Sequence, residues 1–186
     1  MSRVRLAVPA DAARIAAIYE PYVTRHATSF ELVPPDEDEM RRRIEATLPR
    51  FPWLAWEDDD GETGGYAYAG PFAERAAYRW SASVSVYLDE RYHRRGAGRA
   101  LYTALFATLE RQGIVTLFAG ITVPNAASFA LHESMGFKPC ALLPRAGWKF
   151  GAWHDVAYLV HHLGGEGEPP EPIPFATLGD AFPGLP

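Results

Sequence analysis

One stretch limits what this chain can fold into more than any other, and it runs from Val84 to Gly113. It opens Val84-Ser85-Val86-Tyr87-Leu88, an alternating run of β-branched and aromatic residues that reads as a strand. A charged connector leads to His93-Arg94-Arg95-Gly96-Ala97-Gly98-Arg99. From Ala100 to Gln112 the residues Leu101, Leu105 and Leu109 recur at helical spacing, and Gly113 is the expected stop. A strand therefore feeds a basic, glycine-punctuated turn that feeds a helix. Glycine lets backbone approach a ligand closely, the first N–H groups of a helix lack partners, and the helix dipole favours negative charge there. The guest implied is a pyrophosphate or a phosphate ester, with Arg94, Arg95 and Arg99 adding positive charge.

That charge is local. The 186 residues carry a formal net charge of −5, which argues against nucleic acid as a partner and for a small anion. The single cysteine, Cys140, excludes an internal disulfide and a thiolate metal cluster, and it fits a reducing, cytoplasmic setting. No apolar run is long enough to span a bilayer, and Met1 to Val8 lacks a signal-peptide core, so neither membrane nor export is expected. No spacing of histidines makes a metal site.

Taken in order, Val4–Val8 reads as a strand, and Pro9-Ala10-Asp11 opens a helix that Pro21 should kink or end. Asp36–Leu48 reads as a second helix, with Asp36 and Glu39 at capping-box spacing. Its arginines Arg41, Arg42 and Arg43 read as a solvated face. Trp53–Trp56 and Gly65–Ala69 form a hairpin around Asp60-Gly61. After the opening stretch come a strand over Ile114–Val123, a helix over Ala126–Met135 capped by Asn125, and strands over Phe137–Leu143 and Asp155–Val160. An aromatic, glycine-containing segment, 145–154, lies between those two strands. The order β-α-α-β-β-β-α-β-α-β-β predicts an α/β fold: a mixed central sheet with helices on both faces, antiparallel at first and with parallel neighbours at the two late crossovers. Residues 1–163 form one domain, and the Gly/Pro-rich 164–186 read as an extended tail.

Several side chains stay open at this level. Phe30 either plugs the core or lines a pocket. Arg75 and Arg79 either hold an acidic substrate group or form an ordinary surface pair. His132 either transfers protons or packs on its helix face, and Tyr102 beside Leu101 has core spacing.

Further runs carry a resemblance. Gly65-Tyr66-Ala67-Tyr68-Ala69-Gly70-Pro71, Arg99-Ala100-Leu101-Tyr102-Thr103, Leu131-His132-Glu133-Ser134-Met135-Gly136-Phe137 and Gly151-Ala152-Trp153-His154-Asp155-Val156 look like the phosphinothricin acetyltransferase family of the GCN5-related N-acetyltransferase (GNAT) superfamily. It covers about Val4 to Leu163. The resemblance implies the GNAT fold with a splayed parallel strand pair, acetyl-CoA as cosubstrate, and a small primary amine as acceptor. It also implies a homodimer with substrate sites near the subunit boundary and the segment Pro169–Pro174 packed along it. The backbone of Val86, Tyr87 and Leu88 would pair with the pantetheine arm, with an N–H of Tyr87 or Leu88 serving the oxyanion. The N–H groups of Arg94 to Arg99 would cradle the pyrophosphate, and Asn125 would orient the arm. Phe30, Arg75 and Arg79 would line the acceptor site.

The sequence departs from the family at one point. Where the family keeps a glutamate base, this chain has Ser83, and a hydroxyl is no base at neutral pH. His132 with ordered water is the expected proton acceptor, Tyr102 the orienter or thiolate acid, and Ser83 with Ser85 a possible water chain. The alternative is an acyl-CoA-binding protein with little catalysis, or one with a different amine acceptor.

Overall fold

The computed structural model describes residues 1–178. Its elements are β1 (Arg3–Leu6), α1 (Ala12–Thr24), α2 (Glu37–Thr47), β2 (Trp53–Glu57), β3 (Thr63–Pro71), β4 (Ser81–Leu88), α3 (Ala97–Arg111), β5 (Thr116–Val123), α4 (Ala126–Ser134), β6 (Lys138–Lys149) and β7 (Ala152–His162). Element order matches the sequence expectation. The strands form one sheet in the order β1-β2-β3-β4-β5-β7-β6. β4 and β5 pair in parallel, and every other neighbouring pair is antiparallel.

Only one late crossover therefore produces paired parallel neighbours. The other, through α4, is wide enough for β7 to enter between β5 and β6. β6 thus ends at the sheet edge.

Two cores flank the sheet. Val84, Leu101, Tyr102, Leu105 and Leu117 belong to the core under α3 and α4. Ile15, Ile18, Tyr19, Met40, Ile44 and Tyr66 belong to the core under α1 and α2. Period-two alternation assigns the faces of β4: Ala82 and Val84 point into the α3 core, so Ser83, Ser85 and Tyr87 face the α1–α2 side.

Local chemistry explains the boundaries. The Asp36 side chain accepts from Glu39 N at 2.8 Å, which caps α2. Pro21 does not end α1, which continues to Thr24. Burial of Val23 against the sheet outweighs the one missing hydrogen bond. The segment expected as a connector between the last strands is itself strand. β6 and β7 meet at a two-residue turn in which Phe150 and Gly151 have φ of 51° and 74°, the geometry of a type I′ hairpin. Trp148 pairs with Trp153 beside it.

The tail from Gly164 folds back on this chain. Ile173 N donates to Gln112 O at 2.7 Å, and Trp80 Nε1 donates to Pro170 O at 2.7 Å. These contacts run along the N-terminal edge of β4 and the end of α3. The part of the tail from 179 to 186 lies outside the described residues.

Candidate active site

The parallel pair parts. Pairing of β4 with β5 covers Ser81–Thr116, Ala82–Leu117 and Ser83–Phe118, yet β4 runs on to Leu88 and β5 to Val123. Ser83 is thus the last paired residue, at the apex of a wedge. Asp89 N donates to Gly64 O at 2.9 Å, so Asp89 faces β3. Alternation then turns the main-chain groups of Tyr87 to β3 as well, opposite Tyr66. Val86 and Leu88 turn theirs into the wedge. Tyr87, expected to pair with the arm and offered for the oxyanion, is spent on the antiparallel ladder. Among the described residues, the main-chain groups of Val86 and Leu88 have no strand partner on the wedge side.

The wedge opens towards the turn. Gly96, with φ of 85°, caps α3, a left-handed conformation that suits glycine. The first intrahelical bond is Ala100 N to Gly96 O at 2.9 Å. The helix starts at Ala97, three residues before the sequence expectation, because the short residues Ala97 and Gly98 pack into the core. The N–H groups of Ala97, Gly98 and Arg99 thereby become the orphan donors of a helix start. A Cβ on Gly98 would lie 3.1 Å from Leu131 Cδ2, so this glycine lets α3 and α4 approach. Arg94, Arg95 and Arg99 are exposed around it. The arrangement fits a pyrophosphate, with main-chain donors at the centre and guanidinium groups at the rim.

Asn125 stands at the start of α4. Its side-chain oxygen accepts from Ser128 N at 3.1 Å, so the amide nitrogen is the end left for a ligand. Two turns further on, His132 is buried. Tyr102 Oη lies 2.9 Å from His132 Nε2, and Ser128 O lies 2.8 Å from Nδ1. A carbonyl only accepts, so Nδ1 carries the proton and Nε2 accepts from the tyrosine. Burial lowers the His132 pKa, offset in part by the Ser128 carbonyl. Burial raises that of Tyr102. This is a neutral pair with both ring nitrogens engaged, on the α3–α4 side of the sheet. Ser83 faces the other side. The structure does not bring the three expected catalytic residues together.

On the α1–α2 side, Ser85 bonds the Tyr68 hydroxyl. Phe30 is half exposed and rests on the β6–β7 hairpin: a Cβ at Gly147 would come within 2.3 Å of its ring. Arg75 is exposed. Arg79 stacks over Trp80 at 3.8 Å and pairs with Glu171 of the tail at 2.8 Å.

Sequence reasoning missed a cluster here. Glu31 accepts from Arg43 at 2.8 and 3.0 Å and from Tyr19 at 2.9 Å. The Arg43 guanidinium holds the Glu31 carboxyl below its usual range. Buried Lys149 donates to Ser29 O at 2.6 Å. Arg43 read as a solvated charge because helix spacing does not reveal which loop lies across it. Among the described residues no group of three His, Cys, Asp or Glu side chains is placed to hold a metal, and no helix is long and apolar enough to cross a membrane.

A mixed sheet whose one parallel pair parts above a glycine-capped helix start is the architecture of the acetyl-CoA-dependent N-acetyltransferases. The chain belongs to the GNAT acetyltransferase family: the model of the acetyltransferase (GNAT) domain matches residues 4–158. It is similar to a phosphinothricin N-acetyltransferase of Streptomyces viridochromogenes, 37% identical over 155 residues covering 83% of this chain and 84% of the relative. It is also similar to an L-methionine sulfoximine/L-methionine sulfone acetyltransferase of Salmonella typhimurium, 34% identical over 86% of this chain and 94% of the relative. Among solved structures, a GNAT superfamily phosphinothricin acetyltransferase from Sinorhizobium meliloti in complex with AcCoA superposes with a TM-score of 0.87 at 33% identity, covering 91% of this chain and 94% of that one. These relatives favour the enzyme over a donor-binding protein with little catalysis.

Proposed function

We propose that this protein transfers the acetyl group of acetyl-CoA to the primary amine of a small amino-acid-like acceptor such as phosphinothricin or methionine sulfoximine. The observation that carries the reading is the unpaired edge of β4 beyond Ser83, which leads directly to the N–H groups at the start of α3. Val86 and Leu88 take the arm as an added strand. The N–H groups from Gly96 to Arg99, with Arg94 and Arg95, take the pyrophosphate. The Asn125 amide orients the thioester end.

The acceptor approaches from the α1–α2 side. Its neutral amine attacks the thioester carbonyl, the C–S bond breaks, and the CoA thiolate leaves. A main-chain N–H in the wedge stabilises the oxyanion. The ammonium proton passes to water held by Ser83 and Ser85, which lie on that face. His132 and Tyr102 act from the opposite face by fixing α4 and, with it, Asn125. The engaged Nε2 supports this positioning role over direct proton acceptance. Phe30 and Arg75 border the acceptor.

A homodimer through the β6–β7 edge is part of the same reading. Leu142, Leu143, Trp148, Phe150 and Trp153 are exposed there, and an apolar edge strand of this kind calls for a partner. A cytoplasmic location accords with acetyl-CoA supply and a lone exposed Cys140.

The test is thiol release from acetyl-CoA with phosphinothricin, methionine sulfoximine and a panel of amino acids. Turnover on one or more of them is expected. Acetyl-CoA binding without turnover on any would remove the acceptor class, and lack of acetyl-CoA binding would remove the enzyme.

A further inference from the structure

The open edge of β4 already has an occupant at its far end. Tyr22, from the last part of α1, places its hydroxyl against both main-chain groups of Leu88. It donates to Leu88 O at 2.6 Å and accepts from Leu88 N at 3.3 Å. His93 closes the arrangement, its Nε2 lying 3.3 Å from the Tyr22 hydroxyl and 3.4 Å from Leu88 O. The tyrosine ring is half-buried and packs edge-on against Tyr87 at 5.1 Å.

This pattern copies the one an amide makes when it joins a strand edge, one donor and one acceptor on the same residue. Leu88 is the residue that faces the wedge next to the turn. An arm added along β4 and ending in the pyrophosphate cradle must pass this point. The Leu88 N–H has one proton to donate, so the arm can take it only by displacing the Tyr22 hydroxyl.

We propose that Tyr22 is a placeholder for the pantetheine arm: its hydroxyl satisfies Leu88 when the donor is away and is displaced when acetyl-CoA binds. The inference rests on the donor reading given above. The placeholder keeps a main-chain donor and acceptor from standing unpaired at a half-buried edge. It also opposes donor binding by the hydrogen bonds the arm must break. A cavity of about 290 Å³ lined by Pro21, Tyr22, Arg25, His26 and His93 lies beside it and gives the hydroxyl space to move.

The experiment compares wild type with Tyr22→Phe, which keeps the ring and its packing on Tyr87 and removes the hydroxyl. Two ligands are titrated by calorimetry: acetyl-CoA, and the phosphorylated ADP half of CoA, which fills the cradle but has no arm. The variant is expected to bind acetyl-CoA about fivefold tighter, the factor of one neutral hydrogen bond, and to bind the armless nucleotide as wild type does. Apo melting temperatures confirm that both proteins are folded. Equal or weaker acetyl-CoA binding by the variant overturns the placeholder, as does an equal gain for both ligands, which would locate the effect away from the arm. If wild type binds the nucleotide half and acetyl-CoA equally well, the arm makes no contact with β4 and the donor reading itself is at fault. That outcome differs from every result that removes Tyr22 alone.

Discussion

Tyr102 Oη donates to His132 Nε2 across 2.9 Å, between two side chains that are 0% and 4% exposed. With Nδ1 held by Ser128 O, the imidazole has no free lone pair. A buried, fully engaged, neutral histidine is a structural element first.

Tyr102→Phe tests that order. It leaves Nε2 buried without a donor, which costs about 1–3 kcal/mol of stability. Chemical denaturation should show the loss. Turnover measured well below the melting midpoint should stay within about threefold of wild type, since a positioning role retained by packing makes little difference to the barrier. A drop of about a hundredfold, with acetyl-CoA affinity unchanged, would return the pair to the proton path.

The same histidine sets a pH dependence of stability. Its folded pKa lies below the unfolded value of about 6.5 because burial penalises the imidazolium. Below that value the unfolded chain binds the proton more readily than the native one. The stability the neutral form supplies is therefore complete above about pH 6.5 and is lost as pH falls from the unfolded towards the folded pKa, with a slope of at most about 1.4 kcal/mol per pH unit. His132→Gln should flatten that part of the profile. An identical acid limb in both proteins would mean that His132 is not the group responsible.

Gly96→Ala probes the cradle. A Cβ there meets nothing within 4 Å, so the penalty comes from the positive φ, about 1 kcal/mol. Backbone relaxation would tilt the orphan N–H groups that follow. Acetyl-CoA and the armless nucleotide half should weaken together, about three- to tenfold, whereas Tyr22→Phe affects only the ligand with the arm. Unchanged binding of both would remove this turn from the donor site.

The strand, turn and helix start proposed for the donor were legible because they are main-chain features. Strand alternation, a glycine and a helix start are local patterns, and the structure shifts only details: α3 begins at Ala97, and Tyr87 turns its backbone to β3. Parity along a strand is fixed by its neighbour, which one segment cannot show. The α1–α2 side of the sheet was legible only in part. Glu31, Arg43 and Lys149 lie far apart in sequence and meet because a loop folds across α2 and the β6–β7 hairpin. The hairpin was obscured by its composition, for Gly147, Phe150 and Gly151 look like loop until the pairing of Trp148 with Trp153 is seen. Ser83 was singled out in the sequence, but only the sheet shows that it faces away from His132.

Ser83→Glu asks whether a carboxylate on the acceptor face improves proton removal. Ser83 is half-buried at the apex of the wedge, opposite Gly70, where a Cβ would meet nothing within 4 Å. A longer side chain therefore has room. A positioned general base contributes about a hundredfold or more when it replaces none. On the proposed route water between Ser83 and Ser85 takes the proton in wild type, so the expected gain in kcat/KM for the acceptor at pH 7 is about tenfold, with the acid limb of the rate profile moved to lower pH. A variant that binds acetyl-CoA normally and shows no gain would mean that the proton leaves by another route.

Arg79 and Arg75 separate tail contact from acceptor contact. Arg79 is held by Glu171 and the Trp80 ring, while Arg75 precedes the short 3-10 turn Ala76–Tyr78 and is exposed. Arg79→Ala should remove one of the tail's anchors and lower stability by less than about 1 kcal/mol, as for an exposed ion pair. The KM for the acceptor should stay the same, because the guanidinium is engaged elsewhere. Arg75→Ala should leave stability unchanged and raise that KM severalfold, without altering the KM for acetyl-CoA. A raised acceptor KM in Arg79→Ala would mean that Glu171 gives the side chain up when substrate arrives. No effect in Arg75→Ala would place the acceptor's acidic group elsewhere, with Arg43 and Lys149, which lie in the cluster around Glu31 and Ser29, the next cations to replace.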